Sequence, residues 1–199
     1  MDNTELRMTE KESLELITSM INKAKNSVTE SGALYLFWGW LILLCCVVQF
    51  AGLHFFNYAN SYYVWYSTWV LLIFQFFYIV KKKKSFSVKT YTSEINGFVW
   101  LVFFISMVLV IFISIHFKYY EIIYPLILVM YGMPTFLSGI ILKFRPLIVG
   151  GACCWVFSFL SSFVASEYQS LFIATAVIAA WIIPGYLLKK NYKKLANGI

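Results

Sequence analysis

The chain has 199 residues, of which 61% are apolar, 20% aromatic and 13% charged, and its formal net charge is +7. Soluble domains are nearer half apolar and a quarter charged, and folding at this size buries only about 70% of the surface the chain exposes. A water-soluble globule is therefore nearly excluded, and the mean hydropathy of +0.75 leaves lipid as the main solvent.

Residues 1–31 read as a cytoplasmic amphipathic helical segment. Thr9, with Glu12 three positions later, forms a capping box, in which each side chain meets a backbone amide that the first helical turn leaves unpaired. Leu14, Ile17, Ile21, Ala24 and Val28 then recur at alternating spacings of three and four, which places them on one stripe. Lys11, Glu15, Asn22, Lys25 and Asn26 lie off it. Three occupants are open for this stripe: the headgroup plane or the inner ends of the bundle, a second copy of the chain in a homo-oligomer, or a groove on a cytoplasmic or membrane protein partner. The segment holds six acidic and four basic residues, unlike helices that grip anionic lipid by charge, and this favours protein contact. Ser31 and Gly32 would allow a bend before the membrane is entered. The polar stretch ahead of the first apolar run does not read as a cleavable signal.

Residues 32–188 predict an all-α, polytopic six-helix transmembrane bundle. The apolar runs are about 32–53, 62–80, 95–117, 122–142, 147–164 and 171–188. Each can cover a hydrocarbon core of roughly 30 Å, the last two with help from flanking residues. Residues 189–199 form a cytoplasmic basic tail. Arg7, Lys11, Lys23, Lys25, Lys81–Lys84, Lys89, Lys143, Arg145, Lys189, Lys190, Lys193 and Lys194 all fall on one side of such a bundle, and Lys118 falls on the other. That asymmetry predicts both termini in the cytoplasm. Lys81, Lys82, Lys83 and Lys84 are read as lipid headgroup contacts, so the basic balance does not imply nucleic acid.

Inside the spans the polar inventory is short: Gln49, Gln75, Thr68, Ser106, Ser114, Thr135, Ser138, Ser158, Ser161, Ser162 and Thr175. The absence of internal carboxylates argues against proton-coupled transport by a relay. Pro134 and Pro184 each remove a backbone donor and clash with the carbonyl four residues earlier, which predicts a kink or break in the fourth and sixth helices. Gln49, Gln75, Tyr131, Pro134, Thr135, Ser138 and Pro184 are accordingly the candidate substrate or packing site, either lining a cavity between broken helices or joining ordinary kinked ones. Small residues at Gly32, Gly39 and Cys46, at Thr135 and Gly139, and at Ala176 and Ala180 predict close helix contacts. Trp38, Trp40, Trp65 and several tyrosines read as interfacial belts. Gly139 to Lys143 faintly repeats in Gly185 to Lys189.

Cys45 with Cys46, and Cys153 with Cys154, read as packing residues, since neighbours on a helix point about 100° apart and clamp a metal poorly. His54, His116, Glu121 and Glu167 gather toward the outer boundary without a spacing that demands a site. No CxxC, HExxH, GxSxG or P-loop spacing occurs. No catalytic residue, metal or cofactor is expected.

The stretches Glu12 to Lys25, Trp38-Gly-Trp40, Tyr131 to Gly139 and Trp181 to Tyr186 together resemble a group of small bacterial inner-membrane proteins with a short helical tail and six spans. The resemblance implies a bacterial cytoplasmic membrane and carries over no functional residue. The resulting expectation is a non-enzymatic multi-pass membrane protein that contacts a partner through its N-terminal helix. The alternative is a small transporter or permease using the fourth and sixth helices.

Overall fold

The computed structural model describes residues 10–56, 58, 60–82 and 91–196, with side chains over 32–56, 58, 60–75, 77 and 94–191. The described residues are helical with no strand. The helices are α1 (Glu10–His54), α2 (Tyr66–Lys82), α3 (Tyr91–His116), α4 (Ile123–Ile141), α5 (Arg145–Ser161), α6 (Ser166–Val177) and α7 (Ile183–Ala196). A 3-10 turn at Ser61–Trp65 leads into α2, another at Tyr120–Ile122 leads into α4, and a π-helical turn at Ile178–Ile182 joins α6 to α7.

Among the described residues four stretches are long and apolar enough to cross a membrane: Gly32–His54, Glu94–His116, Tyr120–Ile141 and the combined Ser166–Asn191. The α-helical parts of α2 and α5 have 17 residues each, which is shorter. The chain is thus a membrane protein of several spans, with apolar side chains turned outward along α2 and α3 where a soluble fold would place polar ones.

Helix α1 runs for 45 residues without interruption. The helix is unbroken at Ser31 and Gly32, where the sequence would allow a bend. Gly32 serves close approach instead: a Cβ there would lie 3.3 Å from the Leu188 Cβ and 3.5 Å from the Gly185 carbonyl oxygen. The capping position Thr9 lies outside the described residues, and Leu14, Ile17, Ile21, Ala24 and Val28 fall on the described backbone of α1 with their side chains outside it. Lys81 and Lys82 close α2, and Lys83 and Lys84 lie outside the described residues.

Close packing follows the small residues. At Gly39 a Cβ would meet Ile182 at 2.8 Å, and at Gly139 it would meet the Ile148 amide nitrogen at 2.6 Å. Gly150 and Gly151 bring α5 against two neighbours at once. Their added Cβ atoms would stand 2.6 Å from the Ala180 Cα and 2.7 Å from the Phe136 backbone nitrogen. Gly132 leaves the space that the Trp155 indole fills. Helices α4, α5, α6 and α7 are drawn together with α1 in this way around Leu128, Leu147, Cys154, Ile173 and Val177.

The two prolines act differently from one another. Pro134 sits inside a continuous α4, so of the kink or break expected there, the break does not occur. The Thr135 hydroxyl instead donates to the Tyr131 carbonyl one turn back at 2.7 Å. Before Pro184 the helix widens, and the Ile183 amide reaches the Ile178 carbonyl five residues earlier. The π turn moves the Ala180 carbonyl away from the proline ring that would otherwise strike it.

The faint repeat does not survive either. Lys143 ends α4 in a left-handed conformation with φ 51°, and the Phe144 amide closes back on the Gly139 carbonyl at 2.8 Å. Lys189 lies within α7. Lys118, with φ 59°, ends α3 as Lys143 ends α4.

Candidate functional site

The seven residues expected to form one site fall in separate places. Tyr131, Pro134, Thr135 and Ser138 lie together on the buried face of α4. Against them stands Trp181 from the π turn, whose indole nitrogen donates to the Thr135 hydroxyl at 2.8 Å. A membrane-buried indole needs an acceptor, and the π turn carries this one to it. The Tyr131 and Trp181 rings are 4.7 Å apart, and Trp100 of α3 closes on Trp181 at 6.0 Å. Ser138 donates to the Asn96 side-chain oxygen at 2.6 Å, tying α4 to α3. Tyr35 of α1 packs edge-on against Trp100 at 5.7 Å, and its buried hydroxyl makes no hydrogen bond of its own. Aromatic rings therefore fill the space between α4 and the π turn.

Gln49 and Gln75 each bind a different neighbour. The Gln49 carboxamide oxygen accepts from the Trp65 indole at 2.7 Å and from the Tyr124 hydroxyl at 2.8 Å, joining α1 to the starts of α2 and α4. The Gln75 oxygen accepts from the Trp38 indole at 2.6 Å, joining α2 to α1. Trp38 and Trp65, read from sequence as interfacial, are thus donors to interior amides. The reason is general: an indole N–H buried among helices must find an acceptor, and a nearby carboxamide supplies one.

Two cavities adjoin these helices. One, of about 400 Å³, is lined by Arg145, Val149, Cys153, Ala179 and Pro184, and its wall is almost wholly apolar. The other, of about 740 Å³, lies at the opposite end, between the start of α4 and the α5–α6 turn. Glu121 and Glu167 share its rim, while His54 and His116 do not line it. Those histidines stack on Phe50 and Phe112, at 5.4 and 6.2 Å between ring centres. Among the described residues no group of three or more His, Cys, Asp or Glu side chains could hold a metal. Cys45, Cys46 and Cys154 are buried, and all four cysteines are free thiols.

Sequence reasoning missed Trp181, Trp100, Tyr35 and Asn96. The signal available was the donor on each indole and phenol, which belongs in any inventory of intramembrane polar groups. No protein-family model matches the chain, and neither a curated protein nor a solved structure is significantly similar to it.

Proposed function

We propose that the chain is a six-span, non-enzymatic protein of a bacterial inner membrane, with both termini cytoplasmic, that engages a protein partner through the N-terminal length of α1. The observation that carries the partner reading is the unbroken 45-residue helix. A helix that continues out of the bundle without a break is poorly placed to lie in the headgroup plane. Leu14, Ile21 and Val28 also stand at seven-residue intervals with Tyr35, Ile42 and Gln49, which are buried in the bundle. One stripe thus runs in a single register from the packed face of α1 into its projecting length. Gly32 lies against Leu188, and α7 ends eight residues later at Ala196. By helical rise α7 stops near the level of Ala24, so Leu14, Ile17 and Ile21 lie beyond it.

Six spans are supported by the 3-10 turn ahead of α2, which lengthens that helical run to 22 residues, and by the 17 residues of α5, the lower limit for a crossing. The lysine asymmetry supports the orientation. The bacterial membrane rests on the sequence resemblance alone.

Site-specific photocrosslinking in intact cells tests the partner reading. Probes at Leu14, Ile17 and Ile21 are expected to give one discrete adduct, and probes at Lys11 and Glu15 none. Equal patterns from both faces would refute it. Reporter fusions at Asn57 and Glu167 are expected to read as external and those at Ser85 and Gly198 as cytoplasmic.

A permease is the second reading, favoured by the π turn, whose Ala179 and following Pro184 line the 400 Å³ cavity. Widened turns of this kind recur at functional sites. Uptake of a solute panel by reconstituted vesicles, abolished by Pro184→Ala, is the result it requires.

A further inference from the structure

We propose that the apolar groove between α5 and the π turn seats an acyl chain of an anionic phospholipid, whose phosphate is met by Arg145 at the groove's end. This occupancy is independent of the partner reading. It also gives the 400 Å³ cavity a different occupant from the solute that a permease requires.

The groove follows from a close contact beside it. Gly150 lets α5 press on the π turn, where an added Cβ would stand 2.6 Å from the Ala180 Cα and 2.9 Å from the Ala179 carbonyl oxygen. Next to that contact the walls carry short side chains, Val149 and Cys153 on α5 with Ala179 and Pro184 opposite, and the furrow between them stays unfilled. Val149 is 60% exposed and Ile183 50%, so the furrow opens outward to lipid and not into the bundle. Arg145, Val149 and Cys153 recur every four residues along one face of α5. From Arg145 to Cys153 the helix rises roughly 12 Å, most of the roughly 15 Å depth of one leaflet's hydrocarbon. An alkyl chain laid along this line is contacted on two sides, where on a convex helix face it is contacted on one.

Charge at the end of the groove selects the lipid. Arg145 is the first residue of α5, is exposed, and makes no ion pair among the described residues. No acidic side chain stands in the first turn of α5, and Phe144 ahead of it supplies no side-chain cap, so the helix end adds partial positive charge to the guanidinium. Lys143, also exposed, precedes it by two residues, and no wall residue of the groove is acidic. A cation at the end of a span, with an apolar furrow running from it into the membrane, matches a molecule that is phosphate at one end and hydrocarbon at the other. Guanidinium takes a phosphate through two parallel hydrogen bonds. A zwitterionic phospholipid carries its own cation beside the phosphate, which competes with Arg145 and favours a lipid of net negative charge.

Full-length protein in non-ionic detergent is titrated with dioleoyl phosphatidylglycerol and, separately, with dioleoyl phosphatidylcholine, and bound lipid is counted by native mass spectrometry. One saturable phosphatidylglycerol site, about tenfold or more tighter than phosphatidylcholine, is expected from one charge-assisted contact. Arg145→Gln is expected to weaken phosphatidylglycerol by about tenfold and so erase the preference, at unchanged helical circular dichroism. Val149→Phe, which fills the furrow from an exposed position, is expected to weaken both lipids by about tenfold, the worth of two displaced methylenes. Lys118→Gln, at the opposite end of α4, is expected to change neither. Equal affinity for the two lipids, an unchanged preference in Arg145→Gln, or an equal loss from Lys118→Gln would overturn the proposal. So would displacement of the lipid by a hundredfold excess of glycerol 3-phosphate, which would assign the site to a free phosphate. A dimer that Val149→Phe dissociates while lipid binding stays unchanged would assign the groove to a second copy of the chain.

Discussion

Helix α3 and the rod formed by α6, the π turn and α7 each hold a stretch long and apolar enough to cross a membrane, yet they are built into the molecule in different ways. Of the most apolar 18 residues within Glu94–His116 11% are buried inside the protein, against 56% of those within Ser166–Asn191. The α6–α7 rod is gripped by glycines on α1 and α5 that let backbones touch. The loose side, α2 and α3, is tethered by side-chain bonds, from Gln49 to Trp65, Gln75 to Trp38, and Ser138 to Asn96. In lipid there is no hydrophobic force to press helices together, so packing and hydrogen bonds carry the load. The contrast shows two solutions to one problem, dense contact on one side and discrete polar ties on the other.

The sharpest way to break this contrast is one substitution made on both sides. Gly150→Ala drives a methyl to 2.6 Å from the Ala180 Cα, where neither backbone can yield. It is expected to cost about 3 kcal/mol, read as a lowered midpoint in a denaturing-detergent titration. Gln49→Leu strips the acceptor from both the Trp65 indole and the Tyr124 hydroxyl. A loss of about 2 kcal/mol is expected in the same titration, since two buried donors lose their partner. Gly97→Ala in α3 places its methyl where nothing lies within 4 Å. Its expected effect has the opposite sign, a gain of about 1 kcal/mol from helix propensity alone. A loss there as large as at Gly150 would mean that α3 is packed against something, and the contrast would fall. Gln75→Leu removes one tie between α2 and α1 and is expected to cost about 0.6 kcal/mol, the mean for such bonds in membranes.

Much of the architecture was legible in hydropathy, because uninterrupted apolar runs can be read without knowing their partners. The runs 95–117 and 122–142 lie within two residues of the observed spans Glu94–His116 and Tyr120–Ile141. The heptad spacing of Gly32 and Gly39 pointed to a contact face, and both glycines lie against the rod that includes α7. What escaped was everything set by a partner's shape. Gly32 looks the same whether it permits a bend or a close approach. Pro134 and Pro184 look alike, yet one sits in a continuous helix and the other follows a π turn whose Ala179 and Ala180 lie against Gly150. Of the seven candidates four stay together on α4, while Gln49 and Gln75 pair with other neighbours and Pro184 lines the apolar cavity, since amides in lipid seek whichever indole or phenol the packing brings near.

The continuity of α1 through Gly32 has a mechanical meaning. Residues 10–31 carry the helix roughly 33 Å past Gly32 at 1.5 Å per residue, and those before Ala24 lie beyond the end of α7. A hinge at Gly32 would absorb any tilt of the membrane part, whereas a stiff shaft amplifies it. Rocking α1 by about 10° would sweep its tip through roughly 6 Å, about one helical turn. Any small rearrangement among Gly32, Gly39, Gly185 and Ile182 would thereby be magnified at the far end of the helix.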